Sequence, residues 1–153
     1  MSAPEPSLRL AGLSLWVFGY AYPDCNDYWD GNWLNVRVRA ETSGSRVEAS
    51  GALLRIDELT SFTRELDVLY RNLTGTAELK CLESALGVKV ACDLVGHIQV
   101  IVDLTPDHMT ESHEFKFELD QTYLPATLAG CKTVLDRFPI KDPDQRILPG
   151  RQS

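Results

Sequence analysis

The sequence predicts an α+β fold, an antiparallel sheet of about six to eight strands with two amphipathic helices packed on one face. Three observations carry this expectation. Apolar residues alternate with polar ones in several short runs, the signature of half-buried strands. Two longer segments instead repeat every three or four residues, as one helical face requires. Short Gly- and Ser-containing breaks between successive strand runs favour hairpins, hence antiparallel pairing.

The first strand region reads as two strands, Leu8 to Leu15 and Trp16 to Tyr22, or as one bent strand with Gly12 or Gly19 marking a bulge. Pro23 to Gly31 reads as a loop crowded with aromatic and acidic residues. Leu34, Val36, Val38 and Ala40 then alternate with Asn35, Arg37, Arg39 and Glu41. Thr42 to Ser45 suits a hairpin loop, and Val47, Ala49, Gly51 and Leu53 continue on the next strand. From Asp57, a plausible N-cap, Leu59, Phe62, Leu66, Leu69 and Leu73 form a helical stripe, with a stop between Asn72 and Gly75. Strand patterns resume at Ala77 to Cys81, Val88 to Leu94 and Ile98 to Leu104, with Gly96 at a turn, and again at Phe115, Phe117 and Leu119. A second helix is expected from Thr122 to Arg137, with Pro125 tolerated in its first turn. The expected order is β-β-β-β-α-β-β-β-β-α, in a single domain over residues 1–141 with a flexible tail at 142–153.

Composition bounds the function classes. The 153 residues contain 44% hydrophobic and 24% charged side chains, an ordinary globular balance. A formal net charge of −7 disfavours binding to nucleic acid or to anionic membranes, both of which need clustered Lys and Arg. The N-terminus has no signal-peptide pattern, and no apolar run reaches membrane-spanning length, so a cytoplasmic location is expected. Cys25, Cys81, Cys92 and Cys131 form no CxxC pair, and they read as free thiols without metal or redox work.

No catalytic signature stands out. His97, His108 and His113, with Cys25 or Ser112, match no nucleophile elbow, Cys-His signature or zincin helix. Asp24, Asp27 and Asp30 lack the spacing and context of an EF-hand, and no Gly-rich phosphate loop occurs. No cofactor and no metal are therefore expected. Tyr20, Tyr22, Tyr28, Trp29 and Trp33 gather around the loop, and such residues are frequent interface anchors. Trp33 reads equally as a cap on the core at a strand end. Glu111, Glu114 and Glu118 line an outward strand face, which Glu41, Glu48, Asp93 and Asp103 would join if their strands are neighbours. The bland alternative is an ordinary solvated face.

Three segments together resemble one family: Asp30-Gly31-Asn32-Trp33-Leu34 after the aromatic loop, Leu79-Lys80-Cys81-Leu82-Glu83 after the first helix, and Phe138-Pro139 closing the second. The chain resembles WapI-family immunity proteins of bacterial polymorphic toxin systems over about Leu8 to Ile140. The resemblance implies a small cytoplasmic, non-enzymatic protein that binds and occludes a cognate toxin domain. The residues expected to meet that partner are Asp27, Tyr28, Trp29 and Asp30 in the loop, with Glu114 and Glu118 as a steering face. Alanine at Asp27 and Asp30 is expected to slow association and leave folding intact. Two other readings stand beside this one: a small-molecule-binding or enzymatic domain with a pocket between sheet and helices that uses His97 or His113, and an oligomeric structural or adaptor protein. A homodimer is compatible with each.

Overall fold

A computed structural model describes residues 4–146, with side chains described through residue 144. Its eight strands and its helices follow the expected order, and the strands divide into two four-stranded antiparallel sheets. The first holds β1 (Leu8–Leu10), β2 (Leu13–Tyr20), β3 (Trp33–Glu41) and β4 (Arg46–Arg55), in that order. The second holds β5 (Gly75–Lys80), β6 (Leu86–Cys92), β7 (His97–Leu104) and β8 (Glu114–Asp120), again in chain order. A short helix, α1 (Tyr28–Gly31), lies inside the segment expected to be loop. The long helices are α2 (Ile56–Asn72) and α3 (Leu124–Arg137), the latter preceded by a 3-10 turn at Gln121–Tyr123. Of the segment expected as a flexible tail, Pro143–Arg146 forms a 3-10 turn and residues 147–153 lie outside the described residues.

Alternation along the strands sends one face of each sheet inward. Leu34, Val36, Val38 and Ala40 of β3 are fully buried, as are Val100 and Val102 of β7. These residues and the helix stripes belong to one continuous hydrophobic cluster, and β7 meets β3 and β4 where the sheets pack. Helix α2 contributes Ile56, Leu59, Phe62, Leu66 and Leu69. Burying each such side chain contributes roughly 2 kcal/mol, so this face accounts for most of the reason the segment is helical. Leu73, with φ +52°, closes the helix by returning its N–H to Leu69 O.

Two expectations about boundaries change. The first strand region splits at a tight turn through Ala11, with φ +53°, and Gly12, where glycine is required because a Cβ would stand 2.4 Å from Glu41 O and 2.5 Å from the Phe117 ring. The N-cap of α2 is Arg55 rather than Asp57, since Glu58 reaches back to accept from Arg55 N–H at 2.8 Å. Asp57 occupies the first turn instead, where its charge suits the helix dipole.

Each long helix protects a sheet edge. Helix α3 lies against β1, and Thr127 Oγ1 donates to Arg9 O at 2.6 Å. Helix α2 lies against β5, and Glu65 accepts from Glu78 N–H at 2.9 Å. Backbone groups that would otherwise invite another strand are thus occupied.

Candidate functional site

The aromatic loop is built on a buried arginine. A bulge at Leu53 in β4 shifts the register between β3 and β4, so that Leu54 pairs with Leu34 and Arg55 with Trp33. The extra residue resets the alternation, turning Leu54 into the core and Arg55 to the outer side under the loop. The Arg55 side chain is about 3% exposed and lies within 5.3 to 5.5 Å of the Tyr28, Trp29 and Trp33 rings. It donates to Tyr28 O at 3.1 Å and to Trp29 O, and pairs with Asp57 at 2.9 Å. The loop carbonyls and the guanidinium therefore satisfy each other away from water.

Asn32 is the second fastener. Fully buried, it donates to Tyr28 O at 2.8 Å and to Lys141 O at 2.9 Å, and accepts from Lys141 N–H at 2.7 Å. The Lys141 ammonium donates to Cys25 O at 2.7 Å and to Pro23 O at 3.3 Å, lying 4.1 Å from the centre of the Tyr20 ring. Tyr20 donates to Pro139 O at 2.7 Å and meets Phe138 edge-on. Gly31 is required where these parts meet, because a Cβ there would come within 2.7 Å of Cys25 O and 3.0 Å of Lys141 Cδ.

The loop surface carries an open depression of ≈ 440 Å³ lined by Tyr22, Cys25, Asp30, Trp33, Ala52 and Glu83. Just behind it, Glu58 accepts from Leu82 N–H at 2.6 Å. Burial raises the Glu58 carboxyl above the usual range, against the lowering effect of its hydrogen bonds from Leu82 and Arg55. Burial also pushes the neighbouring Cys81 thiol far up, so that it is no nucleophile at neutral pH. The three segments Asp30–Leu34, Leu79–Glu83 and Phe138–Pro139 thus meet around one end of the first sheet. The model of the family described as Immunity protein WapI-like family matches residues 8–139. The chain belongs to that family.

No curated protein matches this WapI-like chain. Among solved structures it is similar to WHY1 from Arabidopsis thaliana, with 9% identity, a TM-score of 0.48 and coverage of 95% of this chain and 94% of that one. It is also similar to WHY3 from Arabidopsis thaliana, at 9% identity, a TM-score of 0.45 and coverage of 95% and 92%.

The expected partner-binding residues of this WapI-like protein divide between two places. Trp29 and Asp30 are exposed, with Trp29 at 42%, whereas Tyr28 is buried and packs edge-on against Trp29. Asp27 caps α1, accepting from Asp30 N–H at 3.0 Å, so alanine there removes a cap as well as a charge. Glu114 and Glu118 stand on β8 of the second sheet, apart from the loop. Glu114 faces Asp103 across β7, but Lys89, Ile101 and Lys116 form the adjoining row, and Glu41 and Glu48 belong to the other sheet. The face is of mixed charge rather than continuously acidic.

Within the core, the gap lined by Leu8, Leu59, Phe62 and Val88 is apolar and only ≈ 20 Å³, far below the roughly 300 Å³ of a small-molecule pocket. His97 lines an open groove of ≈ 740 Å³ between the second sheet and the start of α3, with Arg9, Glu118, Asp120, Tyr123 and Thr127, and His113 lies 3.0 Å from Glu111. No group of three or more His, Cys, Asp and Glu suited to a metal occurs among the described residues, and no described helix is long and apolar enough to cross a membrane.

Sequence reasoning missed Arg55, Asn32 and Lys141. For Asn32 and Lys141 the signal lay only in position, inside the Asp30–Leu34 motif and just after Phe138-Pro139. For Arg55 no periodic signal exists, because a bulge sets the direction of its side chain.

Proposed function

We propose that this immunity-family protein binds a cognate toxin domain directly and occludes its working surface, with no chemistry of its own. The observation that carries this reading is the fastened loop. Arg55, Asn32 and Lys141 hold its backbone, and Trp29 and Asp30 project outward from that rigid base. An ordered loop gives up little conformational entropy on binding, and an exposed Trp beside a carboxylate is a suitable anchor. Asp27 and Tyr28 shape the loop, and Glu114 and Glu118 contribute to encounter through the field of an acidic protein.

The test is co-expression with the toxin-like domain encoded beside it, scoring cell survival and co-purification. Rescue with a complex is expected. Trp29→Ala is expected to weaken the complex about 30-fold, as loss of an interface anchor does. Survival without any complex, or no survival at all, would overturn direct occlusion.

A further inference from the structure

The depression beside the loop has the chemistry of a socket for a basic side chain. Tyr22 and Trp33 offer ring surfaces and Asp30 and Glu83 offer carboxylates, around an open space of ≈ 440 Å³. Unlike Glu48, Asp57, Glu58 or Asp67, the carboxylates of Asp30 and Glu83 have no hydrogen bond or ion pair among the described residues. The Trp33 indole N–H likewise finds no acceptor there, whereas that of Trp16 donates to Pro4 O at 2.8 Å. The cations nearby are already engaged: Arg55 with Asp57, the Tyr28 and Trp29 carbonyls and, at 5.4 Å, the Trp33 ring, and Lys141 with the Cys25 and Pro23 carbonyls.

We infer that this socket takes a lysine or arginine side chain of the partner protein. The inference rests on the toxin-binding reading above and names the chemistry at its contact. A long aliphatic stem lies against Tyr22 and Trp33 while the cationic head reaches Asp30 and Glu83, combining ring–cation attraction with charge-assisted hydrogen bonds. The net charge of −7 favours approach of such a partner. Asp30 comes from the end of α1, Trp33 from the start of β3 and Glu83 from the segment between β5 and β6, so the socket forms only in the folded chain.

The socket can be probed without the toxin. The Trp33 indole N–H resonance is followed by NMR in the intact protein during titration with Nα-acetyl-lysine methylamide, Nα-acetyl-arginine methylamide and the norleucine analogue. Saturable shifts with the two cations are expected, about tenfold weaker for the norleucine compound and for the Asp30→Asn/Glu83→Gln variant. No shift, or equal shifts with norleucine, would overturn the socket. With the toxin domain itself, the double variant is expected to bind at least tenfold more weakly and with a shallower salt dependence. Unchanged affinity would overturn the assignment of a partner's basic side chain to this place. Failure of the wild-type protein to protect cells, with the cation titration intact, would instead count against the toxin-binding reading alone.

Discussion

Two arginine–aromatic clusters occupy the outer side of the first sheet, and they differ in almost everything except composition. At the loop end, Arg55 is buried beneath Tyr28, Trp29 and Trp33 and spends its donors on backbone carbonyls and Asp57. Farther along the strands, Arg37 and Arg39 lie over Trp16 at 5.1 and 4.9 Å, and with Arg46 they converge on the single carboxylate of Glu48. The second cluster is partly solvated, so water competes for every contact and the three guanidiniums keep a local excess of positive charge. The first has no water to fall back on. The same residue types therefore serve as a structural fastener in one place and as a weakly stabilising surface network in the other.

The largest effect that would break this comparison belongs to Arg55. Arg55→Met retains much of the apolar bulk but deprives the Trp29 carbonyl and Asp57 of their arginine donor and leaves Tyr28 O held by Asn32 without it, and is expected to lower unfolding stability by roughly 3 kcal/mol. A denaturation midpoint close to wild type would show that the buried cluster is no fastener. An intermediate effect is expected for Gly31→Ala, whose new methyl group would press on Cys25 O and Lys141, at a cost of about 1 to 3 kcal/mol. Loosened Trp29 fluorescence with a nearly unchanged core would place that strain in the loop, while no change would mean that the contact yields freely.

The smallest effect belongs to Glu48. Its carboxyl is held well below the usual range, at about 2, first by the hydrogen bond from Arg39, then by Arg46 and Arg37. A lowered folded-state pKa gives stability that is full above the ordinary value near 4.5 and is lost as pH falls toward 2. For so solvated a network the contribution is no more than about 1 kcal/mol. Glu48→Gln is expected to lower stability at neutral pH by up to that amount and to flatten the acid limb between those values, so that the two proteins converge toward pH 2. Equal acid limbs in the two proteins would remove Glu48 from the account.

Residues that alternate or repeat were legible because period 2 and period 3.6 leave their marks on every turn of chain. Leu34, Val36 and Val38 point inward, and Leu59, Phe62, Leu66 and Leu69 form a core face, as the spacing predicts. Asp30 and Trp33 were visible as members of an aromatic, acidic loop, and the family resemblance came from the segments that later proved to adjoin in space. Glu83 carried no signal of its own. Its neighbours in the depression come from distant parts of the chain, and adjacency of that kind is absent from any local pattern.

The α+β class, the order of strands and long helices, the two helix faces and the family follow from the chain's own pattern, because each rests on local periodicity or short motifs. The split of the strands into two sheets emerges only from packing, which decided it because hairpin pairing fixes neighbours within a run and α2 separates the two runs. The tertiary structure likewise decided that Tyr28 is buried while Trp29 is exposed, and that Arg55 lies beneath the loop. The reason is the same in both cases. One residue inserted at a bulge reverses the facing of all that follows, and whether a side chain is buried depends on which remote segment, here Arg55 or Lys141, comes to cover it.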